Sequence, residues 1–311
     1  MHTDPPTATR TRYLERDHGH RLWIAEYGAP AGHPLLMLHG GPGSGASPRL
    51  ATLCALQTTR LILPDQRGAG RSEPAGCCIA NTTETLIEDL ESIRQALAIP
   101  RWTVAGGSWG ASLALCYAAR HPHAVGGLAL RNPFLARPAD LDNCFNHARS
   151  RFPAAWQAWR TLGAPESGSF LPWLSEHFAR LPDAALTPWL LAWQQWESAL
   201  AGLPAPPPPV ATGLSALVQR YRLQIHYLSQ HCFLPPDAIL SAARQIARYR
   251  LPVEIVQGQA DALCPPAATR LLVAALPQAK VSEVANTGHN PFAPAMQTAW
   301  LTALERLLRT G

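Results

Sequence analysis

Lysine is almost missing from this sequence. Lys280 is the single lysine among 311 residues, so arginine supplies nearly all of the 26 Lys and Arg residues. The sequence contains 21 Asp and Glu residues. The arginines are scattered singly, whereas a protein that follows a phosphate backbone usually clusters its basic residues. Despite the formal net charge of +5, we therefore expect no nucleic-acid partner.

Long apolar runs are also missing. No run approaches the roughly 18 residues that span a bilayer. The segment from Met1 to Pro6 contains none of the apolar stretch that is typical of a secretory signal. We therefore expect no membrane partner and a cytoplasmic location.

Cysteines at metal-binding spacing are a third absence. The seven cysteines are an odd number with no C-x-x-C pair, and Cys77 and Cys78 are adjacent and poorly placed to bond each other. Free thiols in a reducing cytoplasm are the simplest interpretation. The sequence thus predicts neither a disulfide framework nor a cysteine metal site.

What the chain does contain is an alternation of strand and helix patterns. Residues 11–27 alternate polar and apolar side chains around a turn, which predicts a β-hairpin. Continuous apolar runs at 34–39 and 60–65 predict strands that are buried on both faces. An Asn-Thr-Thr-Glu capping box at 81–84 predicts the start of a helix that ends near Leu97. This alternation predicts an α/β fold with a doubly wound, mostly parallel sheet.

The middle of the chain has a different pattern. From 134 to 249, buried-strand runs give way to tryptophans, prolines and helical periodicity, and strand runs resume at 252–257 and 280–284. We therefore predict a discontinuous core, formed by 1–133 and 250–311, which is interrupted by an inserted helical cap.

A short segment between a predicted strand and a predicted helix carries the strongest chemical pattern. An apolar run through Val104 is followed by the sequence Gly106-Gly-Ser-Trp-Gly110 and then by a helix-forming run. G-x-S-x-G in this context is typical of a nucleophile elbow, in which the serine stands on a strained turn. Gly106 and Gly110 leave room for the two backbones to pass closely. The pattern predicts Ser108 as a nucleophile.

A serine nucleophile needs a base, and the base needs a carboxylate that orients it. In this topology the acid and the base follow late strands, in the chain order Ser, acid, His. Asp261 follows the predicted strand that ends near Gly258, and His289 follows the last predicted strand. We therefore predict a catalytic triad of Ser108, Asp261 and His289.

A glycine-rich loop follows the first buried strand, with the sequence His39-Gly-Gly-Pro-Gly43. Together with the elbow, it predicts an oxyanion hole formed by the backbone N–H groups of Gly41 and Trp109, since such donors stabilise a developing alkoxide. A phosphate-binding loop is the alternative, but the Lys-Ser/Thr ending of a P-loop is missing.

Taken together, these motifs resemble those of the proline iminopeptidases (prolyl aminopeptidases), a family of serine peptidases with the α/β-hydrolase fold. The resemblance runs from about Tyr13 to the C-terminus, and its matching segments are 39–45, 65–72, 81–83, 106–110, 121–122 and 130–131. It implies that the enzyme releases an N-terminal residue, preferably proline, from small peptides through an acyl-enzyme, without a metal or cofactor.

The resemblance also implies which cap residues bind the substrate. Acidic residues of the family's cap hold the free α-ammonium, and the segment W-Q-Q-W-E that ends at Glu197 resembles one of the two acidic positions. The second acidic position is Gln224 here, which should weaken selection for a free amine. Phe134 and Phe145 match pocket aromatics, and an aliphatic side chain, Leu228, replaces another.

Two smaller features near the predicted site also bear on the pocket. Asn132-Pro133 stands where the resemblance leads us to expect Gly-Ile. Cys264 precedes a proline as in the family, so it either brings a thiol to the pocket or is a buried structural residue.

Two other functions fit the same residues. Gln224 and Leu228 favour an esterase, amide hydrolase or thioesterase of secondary metabolism that keeps the triad. A non-hydrolytic protein on this fold, such as a cyclase or a ligand receptor, is the third hypothesis, and the complete triad counts against it. The expected partner is thus a small peptide, amide or ester substrate, and the sequence gives no indication of the oligomeric state.

Overall fold

A single, mostly parallel sheet organises the chain. The computed structural model describes residues 5–207 and 211–309, and within these residues eight strands pair in the order β1-β2-β4-β3-β5-β6-β7-β8. The strands are β1 (Arg10–Glu15), β2 (Arg21–Gly28), β3 (His33–Leu38), β4 (Thr59–Pro64), β5 (Trp102–Gly107), β6 (Val125–Arg131), β7 (Val253–Gly258) and β8 (Lys280–Val284). β2 pairs antiparallel with β1 and with β4, and the remaining neighbours are parallel. The predicted α/β fold class is confirmed.

Helices cover both faces of the sheet, and further helices form the middle of the chain. In chain order, the helices of the described residues are α1 (Thr83–Ala96), α2 (Trp109–Arg120), α3 (Pro138–Asp142), α4 (Ala148–Arg151), α5 (Pro153–Thr161), α6 (Phe170–Arg180), α7 (Asp183–Ala201), α8 (Ala211–Ser229), α9 (Ala238–Arg248), α10 (Pro266–Ala275) and α11 (Pro294–Arg309). Leu36 of β3 packs into the layer that contains α1 and α2, while its neighbour Leu35 packs into the layer of α11. Successive strand residues point to opposite faces, so a continuous apolar run is needed where both faces are covered.

The predicted hairpin and the first predicted helix both form. β1 and β2 pair with Tyr13 opposite Trp23. The helix predicted to end near Leu97 is α1, but the predicted capping box at 81–84 is wrong. The N-cap is Thr82, whose side chain accepts from the backbone N–H of Thr85 while the Thr85 hydroxyl accepts from Thr82. Asn81 instead donates its side-chain amide to the backbone carbonyls of Arg67 and Cys77, at 3.0 and 2.8 Å.

Helices alone occupy the middle of the chain. In the described residues between 134 and 249, α3 to α9 follow one another without a strand. Their aromatic side chains form a dense cluster, in which Trp159, Trp193 and Trp196 are buried. α9 packs against α2 and α10. The division of the chain at 134 and 249 stays a prediction.

The described helices and side chains also bear on membrane spans and metal clusters. No helix within 5–207 and 211–309 is long and apolar enough to cross a membrane. In the same residues, no group of three or more His, Cys, Asp or Glu is arranged to hold a metal ion. Residues 1–4 of the N-terminal segment, for which the sequence predicts no secretory signal, lie outside the described residues.

Candidate active site

The predicted elbow joins β5 to α2. Ser108 is the residue between them, and its φ of 56° and ψ of −124° lie outside the regions that non-glycine residues favour. A Cβ on Gly106 would lie 2.4 Å from the carbonyl of Gly110, and one on Gly110 would lie 2.4 Å from the carbonyl of Leu38. Glycine is therefore required on both sides of the serine, because strand and helix pass too closely for any side chain.

Two loops bring the predicted acid and base together. Asp261 follows β7 and His289 follows β8, and Nδ1 of His289 lies 2.6 Å from Oδ2 of Asp261. The other carboxylate oxygen, Oδ1, accepts from the backbone N–H groups of Leu263 and Cys264, each at 2.9 Å. The carboxylate is buried. Both of its oxygens are thus committed, which fixes the orientation in which it meets the imidazole.

The loop that carries His289 is held from three sides. The guanidinium of Arg131 donates to the backbone carbonyl of His289 at 2.7 Å, and the amide of Asn132 donates to that of Gly288 at 3.2 Å. From the helical segment, the last residue of α7, Ala201, accepts from the backbone N–H of His289 at 3.2 Å. Burial lowers the pKa of Arg131 to about 10, against the opposing effect of nearby Asp261.

Ser108, the predicted nucleophile, lies beside the thiol of Cys264. Oγ of Ser108 lies 3.8 Å from Sγ of Cys264, and no hydrogen bond joins Ser108 to His289 in the described part of the chain. Both residues line the same cavity, and serine–histidine bonds of unliganded sites often tighten only when substrate binds. Burial, assisted by Asp261, raises the pKa of Cys264 well above its usual range. The thiol is therefore protonated at neutral pH, which leaves Ser108 as the better nucleophile.

The predicted oxyanion loop packs directly against the elbow. A Cβ on Gly40 would lie 3.5 Å from Cβ of Ser108, and Gly41 lines the cavity beside the serine. His39 is buried and fixes this loop, because its Nε2 accepts from the backbone N–H of Gln66 at 3.0 Å and its Nδ1 donates to the carbonyl of Gly40 at 2.9 Å. Burial lowers the pKa of His39, so the ring stays neutral.

Trp109 is the first residue of α2, and the first N–H groups of a helix have no acceptor within the helix. Its indole is fully buried and donates to the side chain of Gln66 at 3.0 Å. Gln66 thereby contacts both predicted halves of the oxyanion hole, the loop through His39 and the elbow through Trp109. Gln66 lies in the matching segment 65–72, but the sequence did not indicate this role.

Two cavities meet at Ser108. The larger, of about 390 Å³, is lined by His289, Arg131 and Arg220, and it is open to solvent. The smaller, of about 50 Å³, lies under α7 and α8. All five predicted substrate-binding residues line it, namely Phe134, Phe145, Glu197, Gln224 and Leu228. The structure therefore brings every predicted site residue to one place.

Glu197 already has partners within the chain. Its Oε2 accepts from Nη2 of Arg220 at 2.8 Å and from the hydroxyl of Tyr221 at 3.0 Å, and its Oε1 accepts from the amide of Gln224. Arg220 and Gln224 are four residues apart on α8 and so share a helix face. The sequence did not indicate Arg220, because its pairing with Glu197 depends on how α8 lies against α7.

Comparisons with known proteins agree with this geometry. A family model described as the alpha/beta hydrolase fold matches residues 33–295. A proline iminopeptidase of Neisseria meningitidis is 35% identical over 301 residues, which cover 95% of each chain. A proline iminopeptidase of Arabidopsis thaliana is 34% identical over 297 residues, which cover 93% of this chain and 77% of the relative.

A solved structure is similar over nearly its whole length. The crystal structure of a proline iminopeptidase of Mycobacterium smegmatis aligns with a TM-score of 0.66, at 20% identity, over 96% of this chain and 98% of that one. At this level of identity the likeness shows the shared fold.

Proposed function

Because this chain belongs to the proline iminopeptidase family of α/β hydrolases, we propose that it is a serine exopeptidase that releases an N-terminal residue, preferably proline, from small peptides. The observation that carries the proposal is the 2.6 Å bond between Asp261 and His289 beside the strained Ser108, at the mouth of a small cavity. The lining of this cavity is mainly apolar and aromatic, which suits a small hydrocarbon acyl group such as a prolyl ring.

Acylation begins with Ser108. Its Oγ attacks the carbonyl carbon of the first residue while Nε2 of His289 takes the hydroxyl proton, because Nδ1 is occupied by Asp261. The N–H groups of Gly41 and Trp109 stabilise the oxyanion, and one such donor contributes about 3 kcal/mol to the transition state. The scissile C–N bond then breaks, and His289 gives its proton to the leaving amine.

In deacylation, water is the nucleophile and Ser108 is the leaving group. A water molecule loses its proton to His289 and attacks the ester carbonyl of the acyl-enzyme, and the ester bond to Ser108 breaks with return of the proton to Oγ. The larger cavity, which borders Ser108 and His289, provides room for the leaving peptide and then for water. No metal or cofactor is needed for these steps.

The proposal also includes the substrate, the cap and the cellular location. The substrate is a small peptide whose first residue lies in the small cavity, and residues 134–249 form the cap over it. The location is cytoplasmic, which the seven free cysteines support. Separation of cell fractions by activity tests the location, and activity found only outside the cytoplasm would contradict it.

The direct test is cleavage of L-proline p-nitroanilide. We expect the wild-type protein to release p-nitroaniline, and the Ser108→Ala variant to lose at least about 10³-fold in kcat with an unchanged circular dichroism spectrum. Ser92→Ala, at a half-buried position of α1 that lines neither cavity, is the matched control and should retain wild-type activity. A peptide with proline only at an internal position should not be cleaved.

The same assay separates the alternatives. Rapid hydrolysis of neutral short-chain aryl esters without cleavage of the anilide would favour an esterase over the peptidase. Failure of a fluorophosphonate to label Ser108, together with no turnover of either substrate, would favour a non-hydrolytic protein.

A further inference from the structure

The carboxylate of Glu197 is already neutralised by its own chain. Arg220 donates to it from α8, and the two side chains are only 31% and 20% exposed, so solvent screens the pair incompletely. An arginine stays protonated at all ordinary pH values. The pair therefore carries no net charge, and its negative end is not free for a substrate cation.

The hydrogen-bonding capacity of Glu197 is also largely used. Arg220 and Tyr221 share one oxygen, and the amide of Gln224 occupies the other. A substrate ammonium at this position has to share or displace these donors. Displacement would leave a partly buried guanidinium without its carboxylate, which is costly.

A hydrogen-bonding group that remains free for a ligand, within the described residues, is the side-chain oxygen of Gln224. A carboxylate accepts only, so the side-chain amide of Gln224 must point its nitrogen at Glu197 and its oxygen away. That oxygen, Oε1, is buried, lies on a side chain that lines the small cavity, and has no hydrogen-bond partner in the part of the chain that the structure describes. The cavity thus offers a neutral acceptor where a second carboxylate would attract a cation.

We propose that Arg220 is a specificity-determining residue: by pairing with Glu197, it makes the acyl pocket accept neutral five-membered-ring acyl groups as well as protonated prolyl groups. The inference rests on the proposed function, because it assumes that the acyl group of the substrate occupies the small cavity. The remaining walls are apolar, formed by residues such as Phe134, Trp193 and Leu228, and they suit a hydrocarbon ring of either kind.

Two small amides test the inference by equilibrium binding. Prolinamide, whose ring nitrogen is protonated at pH 7, and cyclopentanecarboxamide, its neutral counterpart, differ in charge but little in shape. Dissociation constants are measured in the Ser108→Ala background, which prevents turnover, by tryptophan fluorescence, since Trp193 and Trp196 line the cavity. With Arg220 present, we expect the two constants to agree within about threefold.

Removal of the positive charge of Arg220 should change the dissociation constant of only one of the two amides. In Arg220→Gln, Glu197 loses its cationic partner, so prolinamide should bind about tenfold more tightly, as expected for a charge-assisted hydrogen bond. Cyclopentanecarboxamide should change less than twofold. Arg220→Lys retains the charge and should behave as the parent does. Arg222→Gln is the control, because Arg222 lies on the same helix but pairs with Asp183 and is half exposed.

Several outcomes would overturn the inference. Unchanged or weaker binding of prolinamide in Arg220→Gln would show that Arg220 merely anchors α8. Preferential binding of prolinamide by more than tenfold with Arg220 in place would show that the ion pair does not reduce cation binding, and no binding of either amide would show that the cavity does not take such rings. The proposed function is judged separately, by wild-type cleavage of the proline anilide.

Discussion

The side-chain oxygen of Asn132 accepts a hydrogen bond from the backbone N–H of Gly258 at 2.8 Å. Its amide nitrogen donates to the carbonyl of Gly288 at 3.2 Å. One buried side chain therefore ties the last residue of β7, which leads into the loop of Asp261, to the loop after β8, which carries His289. Asn132 adopts a φ of 44°, a left-handed conformation that asparagine tolerates better than most residues.

We expect Asn132→Gly to destabilise the protein by about 1–3 kcal/mol, because it leaves the buried N–H of Gly258 without its partner. Glycine accepts the left-handed backbone, so the variant adds no strain to the folded state, and the control described below accounts for the added entropy of the unfolded chain. Urea unfolding measures it. The control is Asn286→Gly, since Asn286 has a similar φ of 51° but is exposed; equal losses in both variants would contradict the bridging role.

The Asp261→Asn variant should retain its fold and lose about 10³–10⁴-fold in kcat. The N–H groups of Leu263 and Cys264 require an oxygen at the Oδ1 position. The new amide nitrogen must then face Nδ1 of His289 and donate to it, so that Nε2 carries the proton and cannot take one from Ser108. Anilide hydrolysis and the melting temperature measure the two effects. More than a tenth of the wild-type kcat would contradict this role of Asp261.

Cys264 should resist alkylation although it lies beside Ser108. Burial raises the pKa of its thiol, and Asp261 adds to the shift; a raised thiol pKa means that the reactive thiolate is scarce below pH 9. Iodoacetamide at pH 7.5 should therefore modify the partly exposed Cys77 before Cys264, as read by mass spectrometry. Rapid labelling of Cys264 with loss of activity would contradict the prediction.

Glu91 on α1 should stabilise the fold except in acid. Hydrogen bonds from Arg94 lower its carboxyl pKa to about 2, with burial opposing and the hydroxyl of Tyr117 assisting. A folded-state pKa below the unfolded value of about 4.5 gives stability that is present above pH 4.5 and is lost as the pH falls toward 2. Glu91→Gln should thus lower the melting temperature at pH 7 but much less at pH 3.

The control for that experiment is Glu88→Gln, because Glu88 is exposed on the same helix. Its melting temperature should follow that of the wild-type protein at both pH values. A Glu91→Gln deficit of the same size at pH 7 and pH 3 would show that the effect does not depend on ionisation.

The sequence alone determined the local elements and the order of the catalytic groups. Apolar runs predicted the buried strands, and the glycines around Ser108 predicted the elbow, because backbone sterics act between neighbours in the chain. The positions of Asp261 and His289 followed from topology, since parallel strands bring their carboxyl ends to one edge. The residues of the small cavity were predicted from the family resemblance instead, since Glu197, Gln224 and Leu228 lie on the helices α7 and α8 and not at strand ends.

Only the tertiary structure decided which ion pairs and hydrogen bonds the residues around the site form with one another. The pairing of Arg220 with Glu197 crosses from α8 to α7, and the bridge made by Asn132 joins the end of β7 to the loop that follows β8. The side-chain oxygen of Asn81, the atom that a capping asparagine would use, accepts from the hydroxyl of Tyr227 at 2.7 Å, and Thr82 caps α1 instead. Such contacts depend on the relative placement of elements that are remote in sequence, and residue spacing along the chain carries no information about that placement.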